Sequence, residues 1–128
     1  MLGVIIEVGL QEGLDTLAAY RDGTARYINH AESMIVWETG TEISNDIIKQ
    51  LFSDSEIVVG RIGAWDKARL PSPKAGEIRL SFLVSDGLYF GQGPFEVLQK
   101  DAMGGPVIQS GLVLLQFLTS QKQGSNHR

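Results

Sequence analysis

Few residues in this chain could carry chemistry, and their spacing limits what that chemistry could be. His30 is the only histidine away from the C-terminal end, where His127 stands. A zinc site takes three or four N, S or O ligands, so His30 would need carboxylate help, and Glu32 is the nearest acid. That set is too sparse, so no metal is expected and His30 reads as a turn residue. A serine nucleophile would require a base and an orienting acid. There is no Gly-x-Ser-x-Gly elbow, and the one arrangement that can be drawn sets His30 near Asp15 or Asp22 across a strand pair. No catalytic residue is assigned on that basis. A pair of carboxylates could do acid–base work if a pocket raised one pKa. Glu7 interrupts an apolar strand and Glu38 closes another, and both are expected on a solvent face. Gly91 and Gly93 lack the Lys and Ser or Thr of a phosphate-cradling loop. No cysteine is present, which removes thiolate chemistry, cysteine metal sites and disulfides. No cofactor is expected.

Aromatic residues give the remaining hints. In "YRDGTARYI", Tyr20 and Tyr27 flank an Asp22-Gly23 turn with Arg21 and Arg26 between, and the tyrosines are expected as near cross-strand partners. Such a pair stabilises a hairpin by roughly 0.2 to 1 kcal/mol. Stacking on nucleic acid is the sharper alternative, but the net charge of −4 opposes attraction to polyanions. Trp37 is expected in the core. Trp65 lies in a loop, where it could cap the core or anchor a partner.

The elements that must position these residues follow from period. "LGVIIEV" is a short β-branched run, and "LDTLAAY" and "TARYIN" flank Asp-Gly, the strongest short hairpin signal. A type I′ turn there needs φ > 0 at both Asp22 and Gly23. "HAES" turns the chain again into "MIVWE". The spacing then changes to that of a helix over roughly residues 44 to 62, with Ser44 as N-cap and a stripe of Ile48, Phe52, Ser55, Val59 and Ile62, widened by Ile47, Leu51 and Val58. Residues 56–60 could instead form a strand. "AWDKARLPSPKAGE" is a loop. "EIRLSFLV" alternates, Asp86-Gly87 turns it, and "LYFGQG" returns. Pro94 opens a short helix or irregular segment. Pro106, at the first helical position, starts a closing helix whose broad apolar face includes Val107, Ile108, Leu112, Leu114, Leu115 and Leu118. The order β-β-β-β-α-β-β-α predicts an α+β fold, an antiparallel sheet of about six strands with two main helices packed on one face. Residues 1–121 form one domain, and 122–128 read as a disordered polar tail.

Of 128 residues, 43% are hydrophobic and 20% charged, an ordinary globular balance. The apolar N-terminal run breaks at Glu7 without a basic region before it, so it does not read as a signal peptide. No apolar run approaches the roughly 20 residues of a membrane helix. A cytoplasmic protein without membrane or nucleic-acid partners is expected.

The motifs "GVIIEVG", "AYRDGTARYINHAESMIVWE", "FLVSDGLYFGQGPF" and "GGPVIQSGLVLLQFL", taken together, resemble a group of small bacterial proteins of uncharacterised function. The likeness spans about residues 3 to 120 and rests on turn residues, so it implies a fold and carries over no catalytic residue. By analogy of fold alone, small mixed domains of roadblock-like, profilin-like or secretion-chaperone type are often dimeric scaffolds. The expectation is a noncatalytic protein-binding or adaptor module, self-associating as a homodimer or binding another protein. The alternative is a small-ligand-binding protein or enzyme, with a pocket between sheet and helix lined by Glu7, Tyr20, Tyr27, His30 and Trp37.

Overall fold

A computed structural model describes residues 1–64 and 71–126, with side chains described through residue 121. Trp65, and the partner-anchoring role considered for it, lie outside the described residues. The chain runs β1 (Gly3–Leu10), β2 (Gly13–Tyr20), β3 (Ala25–Ile28), β4 (Met34–Trp37), α1 (Glu42–Val59), β5 (Glu77–Val84), β6 (Gly87–Pro94), α2 (Phe95–Lys100) and α3 (Gly104–Asn126). All six strands join one antiparallel sheet in the order β4-β3-β2-β1-β5-β6. This is the α+β arrangement that the alternation predicts.

Register decides which side chains share a face. Val4 stands opposite Ala19 and Phe82, and Ile6 opposite Leu17 and Leu80. These residues form one core cluster with Ile48 and Leu51 of α1 and Leu114 and Leu118 of α3, so both long helices cover that face. Burying each large aliphatic side chain contributes roughly 1.5 to 3 kcal/mol. At Gly111 an added Cβ would lie 2.5 Å from the Ile6 Cδ1, so α3 approaches β1 closely there.

The local signals differ from expectation at four points. The Asp22-Gly23 hairpin is not type I′, because only Gly23 has positive φ (+88°) and Asp22 does not. Gly23 N–H donates to the Tyr20 carbonyl at 3.0 Å and Tyr20 N–H to the Thr24 carbonyl at 2.9 Å. This is a three-residue loop, a type I turn followed by a glycine bulge. The Asp22 carboxylate accepts from Thr24 Oγ1 at 2.7 Å and Thr24 N–H at 3.0 Å, which fixes the turn from inside.

Second, α1 is capped by Thr41 rather than Ser44. Thr41 Oγ1 accepts from Ser44 N–H at 3.1 Å, and Ser44 Oγ accepts from Thr41 N–H at 2.9 Å, a reciprocal capping box. Residues 56–59 continue the helix, and Ile62 lies beyond it. The buried stripe is Ser44, Ile48, Leu51, Ser55 and Val58; Ser55 satisfies its buried hydroxyl on the Leu51 carbonyl at 2.7 Å.

Third, α3 begins at Gly104, two residues before Pro106. The Asp101 carboxylate accepts from the N–H groups of Met103 (3.0 Å) and Gly104 (2.8 Å) and starts the helix. Pro106 loses nothing in that first turn, where N–H groups have no helical partner. The buried face of α3 is also narrower than expected, since Leu112 is 40% exposed. Its backbone continues to Asn126.

Fourth, Tyr20 and Tyr27 do not face each other. Tyr27 pairs with Leu17, and Tyr20 with Gly3, which puts the two rings on opposite faces of the sheet. Among the described residues no helix is long and apolar enough to cross a membrane.

Candidate functional site

The five residues expected to line one pocket do not converge. Glu7 and Tyr20 lie on the sheet face away from the helices, whereas Tyr27 and Trp37 lie on the helix-covered face. His30 follows β3 in the turn. Trp37 packs edge-on against Phe117 of α3, with centroids 5.0 Å apart and planes at 85°. Its buried indole N–H finds no acceptor among the described residues.

Two of the five are nevertheless joined, by Asp15. Antiparallel pairing sets Asp15, one turn from the β1–β2 hairpin, near the end of β3 and the turn beyond it. Its Oδ2 accepts from the Tyr27 hydroxyl at 3.0 Å. Its Oδ1 accepts from the His30 main-chain N–H at 2.8 Å and lies 3.3 Å from His30 Nδ1. Burial, and then the bond to and charge of Asp15, push the Tyr27 hydroxyl up to about 12. Tyr27 is therefore a neutral donor at physiological pH and helps hold the carboxylate in one orientation.

Asp15 and Tyr27 line an otherwise apolar cleft of about 220 Å³. Ile6, Leu17 and Ile78 form its sheet wall, Ile108 and Leu115 the α3 wall, and Phe95 closes another side. Leu112, exposed on α3, also lines it. Gly111 lines it too, where α3 passes close to Ile6 of β1. The arrangement can hold an apolar body and offer one oriented carboxylate; among the described residues it sets no nucleophile beside a base. Among the described residues no cluster of three or more His, Asp and Glu could hold a metal ion.

Glu7 is buried, not solvent-facing. It pairs across the strands with Arg79, whose Nε donates to Glu7 Oε1 at 2.8 Å, and the two residues are 6% and 3% exposed. Arg79 Nη1 also donates to the Pro71 carbonyl at 3.3 Å. At Gly9, an added Cβ would fall 2.0 Å from the Lys74 carbonyl oxygen, so the chain after Pro71 lies directly on the sheet. A buried ion pair of this kind fixes geometry more than it adds stability. Glu38 is exposed, as expected.

The sheet's β4 edge is a further feature. All four of its residues, Met34, Ile35, Val36 and Trp37, are apolar. Asn29 N–H donates to the Ser33 carbonyl at 3.0 Å, one step beyond the Ile28–Met34 pair. Hydrogen-bonded pairs alternate along an antiparallel ladder, so Met34 and Val36 turn their main-chain N–H and C=O groups away from β3. Their side chains are 53% and 46% exposed on the face opposite α1 and α3, beside half-buried Ile28. β4 lacks the lysine, proline or bulge that commonly guards an edge. The opposite edge, β6, carries Gly91, Gly93 and Pro94.

Arg79 and the cleft residues Phe95, Ile108 and Leu115 carried no sequence signal for a site. Arg79 alternates with Ile78 and Leu80, and a strand arginine reads as solvent-facing until its partner is known. Comparison with known proteins finds no matching family model, no similar curated protein and no similar solved structure.

Proposed function

We propose that this protein is a noncatalytic protein-binding module that works as a homodimer joined along β4. The observation that supports this is the unguarded apolar edge, with the outward main-chain groups of Met34 and Val36 beside exposed side chains. Two such edges related by a twofold axis are self-complementary, because an isologous contact sets the same strand against itself in antiparallel sense. The pairing would satisfy the edge groups by strand addition and would cover Met34, Val36 and Ile28 in the same step. Protein partners in the cytoplasm suit this reading better than nucleic acid or a membrane, given the charge of −4. Membership of the bacterial group that the turn motifs resemble belongs to the same proposal.

Size-exclusion chromatography with light scattering tests it on the full chain. A concentration-dependent dimer that dissociates when β4 is blocked is the expected result. A strict monomer at about 1 mM, where even weak specific interfaces form, would overturn it. The cleft favours a second reading, small-ligand binding, which is compatible with the first because β4 contributes nothing to its walls.

A further inference from the structure

We infer that the cleft between the sheet and α3 binds a small organic cation, a primary amine on an aromatic or short aliphatic body, with its ammonium at Asp15. The inference does not depend on dimer formation, since the cleft is built within one chain. Three features carry it. The first is size. Cavities of about 150 Å³ admit a benzene ring, so about 220 Å³ suits a ring with a short tail and excludes a nucleotide or a large cofactor.

The second is the separation of chemistry within the cleft. The Ile6, Leu17, Ile78, Ile108 and Leu115 side chains offer no hydrogen bond, whereas Asp15 and Tyr27 line the cleft joined to each other by a hydrogen bond. A ligand that fills the cleft therefore sets its apolar part against α3 and its polar group against Asp15. The third is charge. Among the described residues lining the cleft there is no lysine or arginine, so the carboxylate there favours a cation over a neutral or anionic group.

Hydrogen-bond capacity agrees with one ammonium. A carboxylate accepts at about four lone-pair positions, and Tyr27 and His30 occupy up to three of them. One remains for a ligand N–H, and the Tyr27 oxygen, which donates its own proton to Asp15, can accept a second. Preorganisation is the physical point: Asp15 is already held by two residues, so binding need not order it.

Titration of the full chain with 2-phenylethylamine, 3-phenylpropionate and propylbenzene, followed by calorimetry and amide NMR, separates the alternatives. The expected result is amine binding about two- to fivefold tighter than either isostere, the difference that one partly exposed ion pair supplies, with shifts centred on Ile108 and Leu115. Asp15→Asn should remove that preference. Leu112→Trp, at an exposed position on the cleft wall, should weaken all three probes without unfolding the chain. Equal binding of amine and propylbenzene would overturn the assignment of the head group. No binding of any probe to folded protein, or amine binding unchanged in Leu112→Trp, would overturn the site. Repeating the titration on the Val36→Pro chain separates this outcome from the fate of the dimer.

Discussion

Replacing Val36 with proline removes one main-chain N–H that points away from β3 and leaves the β3 ladder intact. Two chains paired antiparallel along β4 would exchange about four main-chain hydrogen bonds, from the N–H groups of Met34 and Val36 in each copy. Proline deletes two of them. At about 1 kcal/mol net for each bond, the dimer loses about 2 kcal/mol, or roughly 30-fold in Kd. Two stranded carbonyls add to that loss. The fold should tolerate the change, because proline is accepted on an edge strand whose N–H faces solvent and Val36 is 46% exposed. Analytical ultracentrifugation gives the Kd, and thermal unfolding reports the fold. Val36→Thr, which keeps the N–H and the branched shape, should remain a dimer. A Val36→Pro chain that is folded and dimerises as tightly as the parent would refute the edge-pairing argument.

Glu7→Leu should cost about 3 to 5 kcal/mol in chemical denaturation, because Arg79 loses the buried carboxylate it bonds; adding Arg79→Met should restore most of it, and a purely additive loss would contradict the pairing. Tyr27 titrates at about 12 in the folded chain against 10.0 ordinarily. A folded pKa raised in this way stabilises fully below pH 10 and is lost as pH rises toward 12. Absorbance at the phenolate band should therefore show a late-titrating tyrosine that disappears in Tyr27→Phe and moves toward 10 in Asp15→Asn. Asp101→Ala should lower the melting temperature through lost capping. The backbone N–H groups of Gly104 and Met103 hold the Asp101 carboxyl below its ordinary value, so that contribution is present above the usual carboxylate range and fades as pH falls through the lowered value.

Period made the strands and α1 legible in the sequence, because an alternating or 4-3-4-3 pattern is local and each residue's face follows from its neighbours. What resisted reading was everything that depends on register between distant strands. Glu7 looked solvent-facing because its partner, Arg79, lies 72 residues away. Tyr20 and Tyr27 looked like near neighbours because a two-residue loop would set Tyr20 opposite Ala25, on the same face as Tyr27, and the three-residue loop sets them on opposite faces. The link from Asp15 to His30 could be drawn from the meander, yet the cleft beside it could not, since Ile108 and Leu115 come from α3 and Gly111 reads only as a weak spot in a helix. The end of α1 was misplaced for a related reason: Ile62 matches the helical stripe and still packs against the core, although the helix has already closed.

The place of β1 between β2 and β5 also sets an order of events during synthesis. The N-terminal four-stranded meander can assemble as it leaves the ribosome, but the flank of Val4–Val8 that β5 will occupy stays bare until some seventy further residues have been made. Such delayed closure slows folding and leaves a sticky ribbon available to other nascent chains. One flank of β1 thus waits longest for its neighbour, and fast translation through the α1 segment shortens its exposure.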